Sequence, residues 1–99
     1  MPFSQSRAPK STRVGPGETD TEIESGDTIT VYSIVCSNTT TSAETVTIEE
    51  AGTTTIKVRI RVPADNTTEV TTVFLADKGL QVTTPANTDC VIFHSQPGS

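Results

Sequence analysis

The sequence predicts an all-β protein: a small antiparallel β-sandwich, jelly-roll-like or Ig-like, with an extended N-terminal arm. Three observations carry this expectation. Thr, Val and Ile supply 20, 10 and 7 of the 99 residues, whereas Leu occurs only twice. Side chains branched at Cβ are stiff at χ1 and fit a pleated, half-buried surface better than a helix. No stretch offers the Leu, Ala, Glu and Lys spacing of an amphipathic helix, and short strand-like runs follow one another with only turn residues between them. Six or seven such strands without intervening helices imply antiparallel pairing rather than βαβ units.

Residues 1–27 contain Pro2, Pro9, Pro16, Gly15, Gly17 and Gly26 among polar and charged side chains. Too little apolar surface is present to order this segment, so it reads as an extended polar arm. Within it, Thr19 to Glu24 alternates weakly around Ile23 and could add an edge strand. The sandwich is expected over residues 28–94, and residues 95–99 read as a flexible tail.

Thr28 to Ser37 is the longest apolar run. Strict alternation would put Ile29, Val31 and Val35 on one face and Tyr32, Ile34 and Cys36 on the other, as suits a central strand. Asn38 to Ser42 is a polar turn. Ala43 to Glu50 points Val46 and Ile48 inward, and Glu50-Ala51-Gly52-Thr53 reads as a hairpin turn. Thr54 to Val62 alternates most clearly: Ile56, Val58, Ile60 and Val62 form a core face and Lys57, Arg59 and Arg61 a basic stripe. Pro63 ends this strand because it has no N–H for the ladder. Thr67 to Leu75 is a further strand, Ala76 to Gly79 a turn that Gly79 can close with positive φ, and Leu80 to Thr84 a short strand. After a loop at Pro85 to Thr88, Asp89 to His94 closes the domain.

Apolar content of 32% is thin for a single small domain, which favours packing against copies of itself or against a larger partner. Trp is absent and aromatics are few, which disfavours stacking platforms for bases or sugars. The net charge of −5 is unevenly placed. Arg7, Lys10 and Arg13 form a basic tip, and Glu18, Asp20, Glu22, Glu24 and Asp27 follow as an acidic run. Three cations at the tip and three in the stripe are too few for a general nucleic-acid surface. No apolar run is long enough to cross a bilayer, and no secretory signal precedes the domain, so neither membrane nor secretion is expected.

Chemistry is sparse. His94 stands without a nucleophile motif nearby and reads as a surface histidine beside the tail. Cys36 and Cys90 sit in apolar runs without zinc-ligand spacing and read as buried reduced thiols, an inter-strand disulfide being the alternative. The acidic run lacks the order of a calcium loop. No phosphate-binding loop or metal cluster is recognisable. The expectation is therefore a protein that is not an enzyme and takes no cofactor.

The basic stripe is the best candidate surface. A neighbouring strand presenting Glu49, Thr47 or Thr45 would satisfy it internally, as on most solvated sheet faces. The functional alternative gives it an acidic partner, either the Glu18 to Asp27 segment of an adjacent copy or a larger assembly. The candidate partner-binding residues are thus Arg7, Lys10, Arg13, Lys57, Arg59 and Arg61.

Val62-Pro63-Ala64 followed by a Thr-rich strand, then Phe74 to Thr84 (FLADKGLQVTT) and the closing Cys90 to His94, resembles small β-sandwich structural proteins of tailed bacteriophages. The resemblance covers Thr28 to His94. It implies a virion component, made in the host cytoplasm, with no catalytic residues to carry over. The favoured form is a capsid decoration or cement protein that binds the major capsid protein or another virion protein, as a homo-oligomer, and bridges shell subunits. The alternative is a tail or head-fibre knob that binds a host surface receptor, but the loops at 38–42, 64–68 and 85–88 are small and polar rather than aromatic.

Overall fold

The computed structural model describes residues 9–96, which form nine strands and no helix. In chain order these are β1 (Lys10–Val14), β2 (Thr21–Ile23), β3 (Ile29–Asn38), β4 (Glu44–Glu50), β5 (Ile56–Val62), β6 (Thr67–Val70), β7 (Phe74–Ala76), β8 (Leu80–Thr83) and β9 (Thr88–His94).

Two antiparallel sheets pack face to face. The first has the order β1-β9-β3-β6, with β7 also on β3, and the second the order β2-β8-β4-β5. β6 and β7 share one edge of β3: β6 pairs with Ile34 to Ser37 and β7 with Ile29 to Val31. Counted as one interrupted strand, they leave eight strands paired in nested fashion: β1 with β9, β2 with β8, β3 with β6 and β7, and β4 with β5. The chain is in effect one long hairpin rolled over a core, which is the jelly-roll arrangement rather than the Ig one.

The core is made by the inward parity of each strand. Val14, Ile23, Ile29, Ile34, Ile48, Val62, Leu80 and Ile92 are all at most 3% exposed. Val14 and Ile23 belong to the stretch expected to be an arm. Residues 21–23 are the edge strand expected around Ile23, and residues 10–14 are an edge strand of the other sheet rather than arm, because one apolar side chain in each is enough to anchor a short strand whose backbone bonds are made by β8 and β9. Met1 to Ala8 lie outside the described residues.

Two irregularities redraw faces that strict alternation assigned. Between Val31 and Ser33 the pairing with β9 shifts by one residue, so Val31 and Ile34 both point inward while Tyr32 and Val35 point outward. A β-bulge inserts one residue opposite one partner and so reverses the parity beyond it. A second shift, where Ile48 pairs with Val58 but Glu49 with Ile56, turns Ile56 out of the core to 39% exposure. The predicted strand Thr67 to Leu75 is broken at Thr71 to Val73, opposite the first bulge. The predicted tail is partly tied down, since Ser95 N–H donates to Thr30 C=O at 2.8 Å and the Ser95 hydroxyl accepts from Thr30 N–H at 2.8 Å.

Candidate interaction surfaces

The outer face of the first sheet carries four of the exposed large apolar side chains. Thr30 faces Leu75 across β3 and β7, and Ser33 faces Phe93 across β3 and β9. The bulge sets Tyr32 beside Ser33 on this same side, and Val73 lies in the link between β6 and β7 that passes this stretch of β3. Val73 is 61% exposed, Leu75 57%, Tyr32 39% and Phe93 37%. Contiguous apolar side chains on the outside of a sheet mark a contact surface more often than singly scattered ones do. Strict alternation hid this patch, because it counted Tyr32 with the buried Ile34 and Cys36.

The outer face of the second sheet is charged, and its charges are sorted by edge. Glu22, Gln81 and Glu49 form one cross-strand row that reaches β5 at Ile56, beside Lys57. Thr83, Thr47 and Arg59 form the next row, which Asp20 joins by donating its backbone N–H to the Thr83 hydroxyl at 3.0 Å. Thr45 faces Arg61 one step further on. Cations therefore line the β5 edge and acids the β2 edge.

The six predicted cations divide sharply. Lys10 meets Glu24 at 3.0 Å and Arg13 meets Asp89 at 2.7 Å, so both are held by the sandwich itself rather than extended on a free tip. Lys57 meets Glu50 at 3.6 Å, not Glu49, whose carboxylate instead accepts from Gln81 Nε2 at 2.9 Å. Arg59 and Arg61 have no carboxylate within 4 Å among the described residues; threonines stand opposite both. The expected threonines, Thr47 and Thr45, thus do stand opposite Arg59 and Arg61, but only Lys57 of the stripe is in an ion pair among the described residues. Arg7 lies outside the described residues.

His94 is fully buried, not on the surface. It shares the inward parity of Cys90 and Ile92, a signal already present in the run DCVIFH. Its Nδ1 lies 2.7 Å from the Ser95 carbonyl, which can only accept, so Nδ1 carries a proton, and in the neutral ring Nε2 accepts from the Thr12 hydroxyl at 2.8 Å. The imidazole is a rivet between β1 and β9. Cys36 and Cys90 are buried, unoxidised and directly opposite each other on β3 and β9. The hydrogen bond from Cys90 to Cys36 raises the Cys90 pKa, with burial adding to the rise, and the same bond lowers that of Cys36.

At one end of the sandwich, Ser37, Asn38, Thr39, Asp65, Asn66 and Thr67 line a shallow cleft of about 490 Å³, open to solvent. Asn38 organises the loops around it. Its Nδ2 group donates to the carbonyls of Ser42 and Val62 at 2.8 and 3.1 Å, with Pro63 O at 3.3 Å, and its Oδ1 accepts from the Thr40 N–H and hydroxyl at 2.8 and 2.7 Å. Among the described residues no three His, Cys, Asp or Glu side chains gather as metal ligands would. The chain matches no family model, no curated protein and no solved structure.

Proposed function

We propose that this chain is a non-enzymatic structural protein of a tailed-phage particle, a decoration protein that seats on the shell through the outer face of its first sheet. One observation carries the reading: Tyr32, Leu75 and Phe93 stand exposed on a single sheet face, with Val73 beside them, while the loops at the sandwich ends are short and polar. Such a face suits a flat protein surface rather than a small ligand, because it offers apolar area without a concavity. Decoration needs no chemistry, only weak contacts repeated by the symmetry of the shell.

The test is the copy number of the chain in purified particles, by quantitative mass spectrometry against the major shell protein. Hundreds of copies support decoration. A dozen or fewer would make it a tail or fibre part, and absence would overturn the reading. In rebinding assays, Leu75→Ser with Phe93→Ser is expected to lower particle occupancy without lowering thermal stability. Unchanged occupancy would remove this face from the mechanism.

A further inference from the structure

The second sheet has two open edges, and their charges are opposite. Arg59 and Arg61 on β5 have no anionic partner among the described residues. On β2, Glu22 is exposed and unpaired, and just before it the carboxylates of Glu18 and Asp20 accept only from the Thr21 and Thr83 hydroxyls at 3.2 Å. The match extends to position. Asp20 stands on the row that reaches Arg59, and Glu22 on the row that ends beside Lys57.

Strand direction agrees as well. β2 is antiparallel to β8, β8 to β4, and β4 to β5, so a second copy placed with its β2 beside β5 continues the sheet in antiparallel order. No described residue hydrogen-bonds the outer backbone edge of β5, and an edge of that kind is a template for another chain unless something blocks it. Two-fold alternatives are disfavoured by the same charges: β5 against β5 sets arginine against arginine, and β2 against β2 sets acid against acid.

We propose that these two edges are complementary halves of one self-association surface, the β5 edge of one copy seating against the β2 edge of the next. Arg59 then faces the neighbour's Asp20, and the neighbour's Glu22 comes beside Lys57, which also keeps its Glu50 contact. The contact is head-to-tail, so it continues until a ring closes or a filament grows. Other charges border the site without cancelling it. Lys78 and Asp27 lie beyond the Ile23 end of β2, and Asp65 and Glu44 near the Val62 end of β5, and none of them is in an ion pair among the described residues. The proposal concerns the second sheet only and does not depend on what the first sheet binds.

The test is solution mass by light scattering and native mass spectrometry. At low salt the wild-type chain is expected to exceed two copies, and at about 1 M NaCl, where the screening length is about 3 Å, to fall to monomer. Arg59→Glu with Arg61→Glu makes both edges acidic, and Glu18→Arg with Glu22→Arg makes both basic. Each variant alone is expected to weaken association by about tenfold or more, and an equal mixture of the two to restore it.

Circular dichroism checks that each variant folds. The milder pair Arg59→Gln and Arg61→Gln, together with the salt titration of the wild type, gives a reading that needs no charge reversal. A wild-type monomer at low salt and high concentration, a dimer that grows no further, or a mixture that stays monomeric would each overturn the proposal. Leu75→Ser with Phe93→Ser is expected to leave the mass unchanged, so loss of particle binding and loss of self-association are separable.

Discussion

Gly79→Ala compared with Gly52→Ala isolates one contact that holds β2 in the fold. Both glycines have positive φ, +79° and +75°, so an alanine at either pays the same left-handed strain of about 1 kcal/mol. Both substitutions also restrict the unfolded chain, returning about 0.4–1 kcal/mol. The surroundings differ. Around Gly52 nothing lies within 4 Å of an added Cβ, whereas at Gly79 it would strike the Glu24 carbonyl oxygen and come within 2.6 Å of that of Ile23. These are backbone atoms at the end of β2 and cannot rotate away, so an overpacking cost of about 1–3 kcal/mol is added.

The expectation is about 0–0.6 kcal/mol for Gly52→Ala and about 1–3.6 kcal/mol for Gly79→Ala, out of a total of about 5–15 kcal/mol for a chain this size. Urea titration reads both, and the dependence on urea separates two outcomes. An unchanged slope means the strain is absorbed in place, and a smaller slope means β2 has peeled from β8 and the native state is less compact. Costs that agree within about 0.5 kcal/mol would refute the close approach of β2 to the β7–β8 turn, and with it the placement of the acidic edge.

Other substitutions probe the buried polar groups. Asn38→Ala is expected to cost about 2–4 kcal/mol by leaving the Val62 carbonyl and the Thr40 amide without their partner, and Asn38→Asp at least as much, since a carboxylate would face carbonyl oxygens; thermal denaturation checks both. Thr12→Val removes the donor to a fully buried His94 Nε2 and is expected to cost about 1–3 kcal/mol, and in the His94→Phe background this cost should shrink, which a double-mutant cycle measures. Cys36 and Cys90 are expected to give no fast reaction with a thiol reagent at pH 8 in the native protein and two equivalents in denaturant, because both are buried and Cys90 holds its proton above the usual thiol range. Fast labelling of either would show that β9 opens.

The sandwich was legible because Thr, Val and Ile dominate the chain and because runs such as Ile56 to Val62 alternate; the turns at Gly52 and Gly79 were legible from residue type. The jelly-roll order was not, since nested pairing joins strands as distant as β1 and β9, and no local pattern encodes which distant edge a strand meets. The bulges were equally hidden. A shift of one residue at Tyr32 leaves composition unchanged but moves an aromatic side chain from core to surface, and with it the exposed face of the first sheet. The basic stripe was legible as a row of cations. Thr47, Thr45 and Glu49 were legible as candidates to face it; that Arg59 and Arg61 meet the threonines, and that the second bulge moves Lys57 out of line with Glu49, followed only from the register with β4.

The nested pairing also fixes when the protein can fold. β8 and β9, the last two of the nine strands in chain order, are interior strands: β8 sits between β2 and β4, and β9 between β1 and β3. Until they emerge, β1 and β2 have no neighbour at all, and most of β3 and β4 is open on one side. The pairs β4–β5 and β3 with β6 and β7 can form earlier, but completion of either sheet must wait for β8 and β9, the slow, high-separation regime of folding. A nascent chain of this design spends its synthesis with unpaired strands that its threonines and charges keep soluble, and a truncation of even the last strand removes the centre of a sheet rather than its margin.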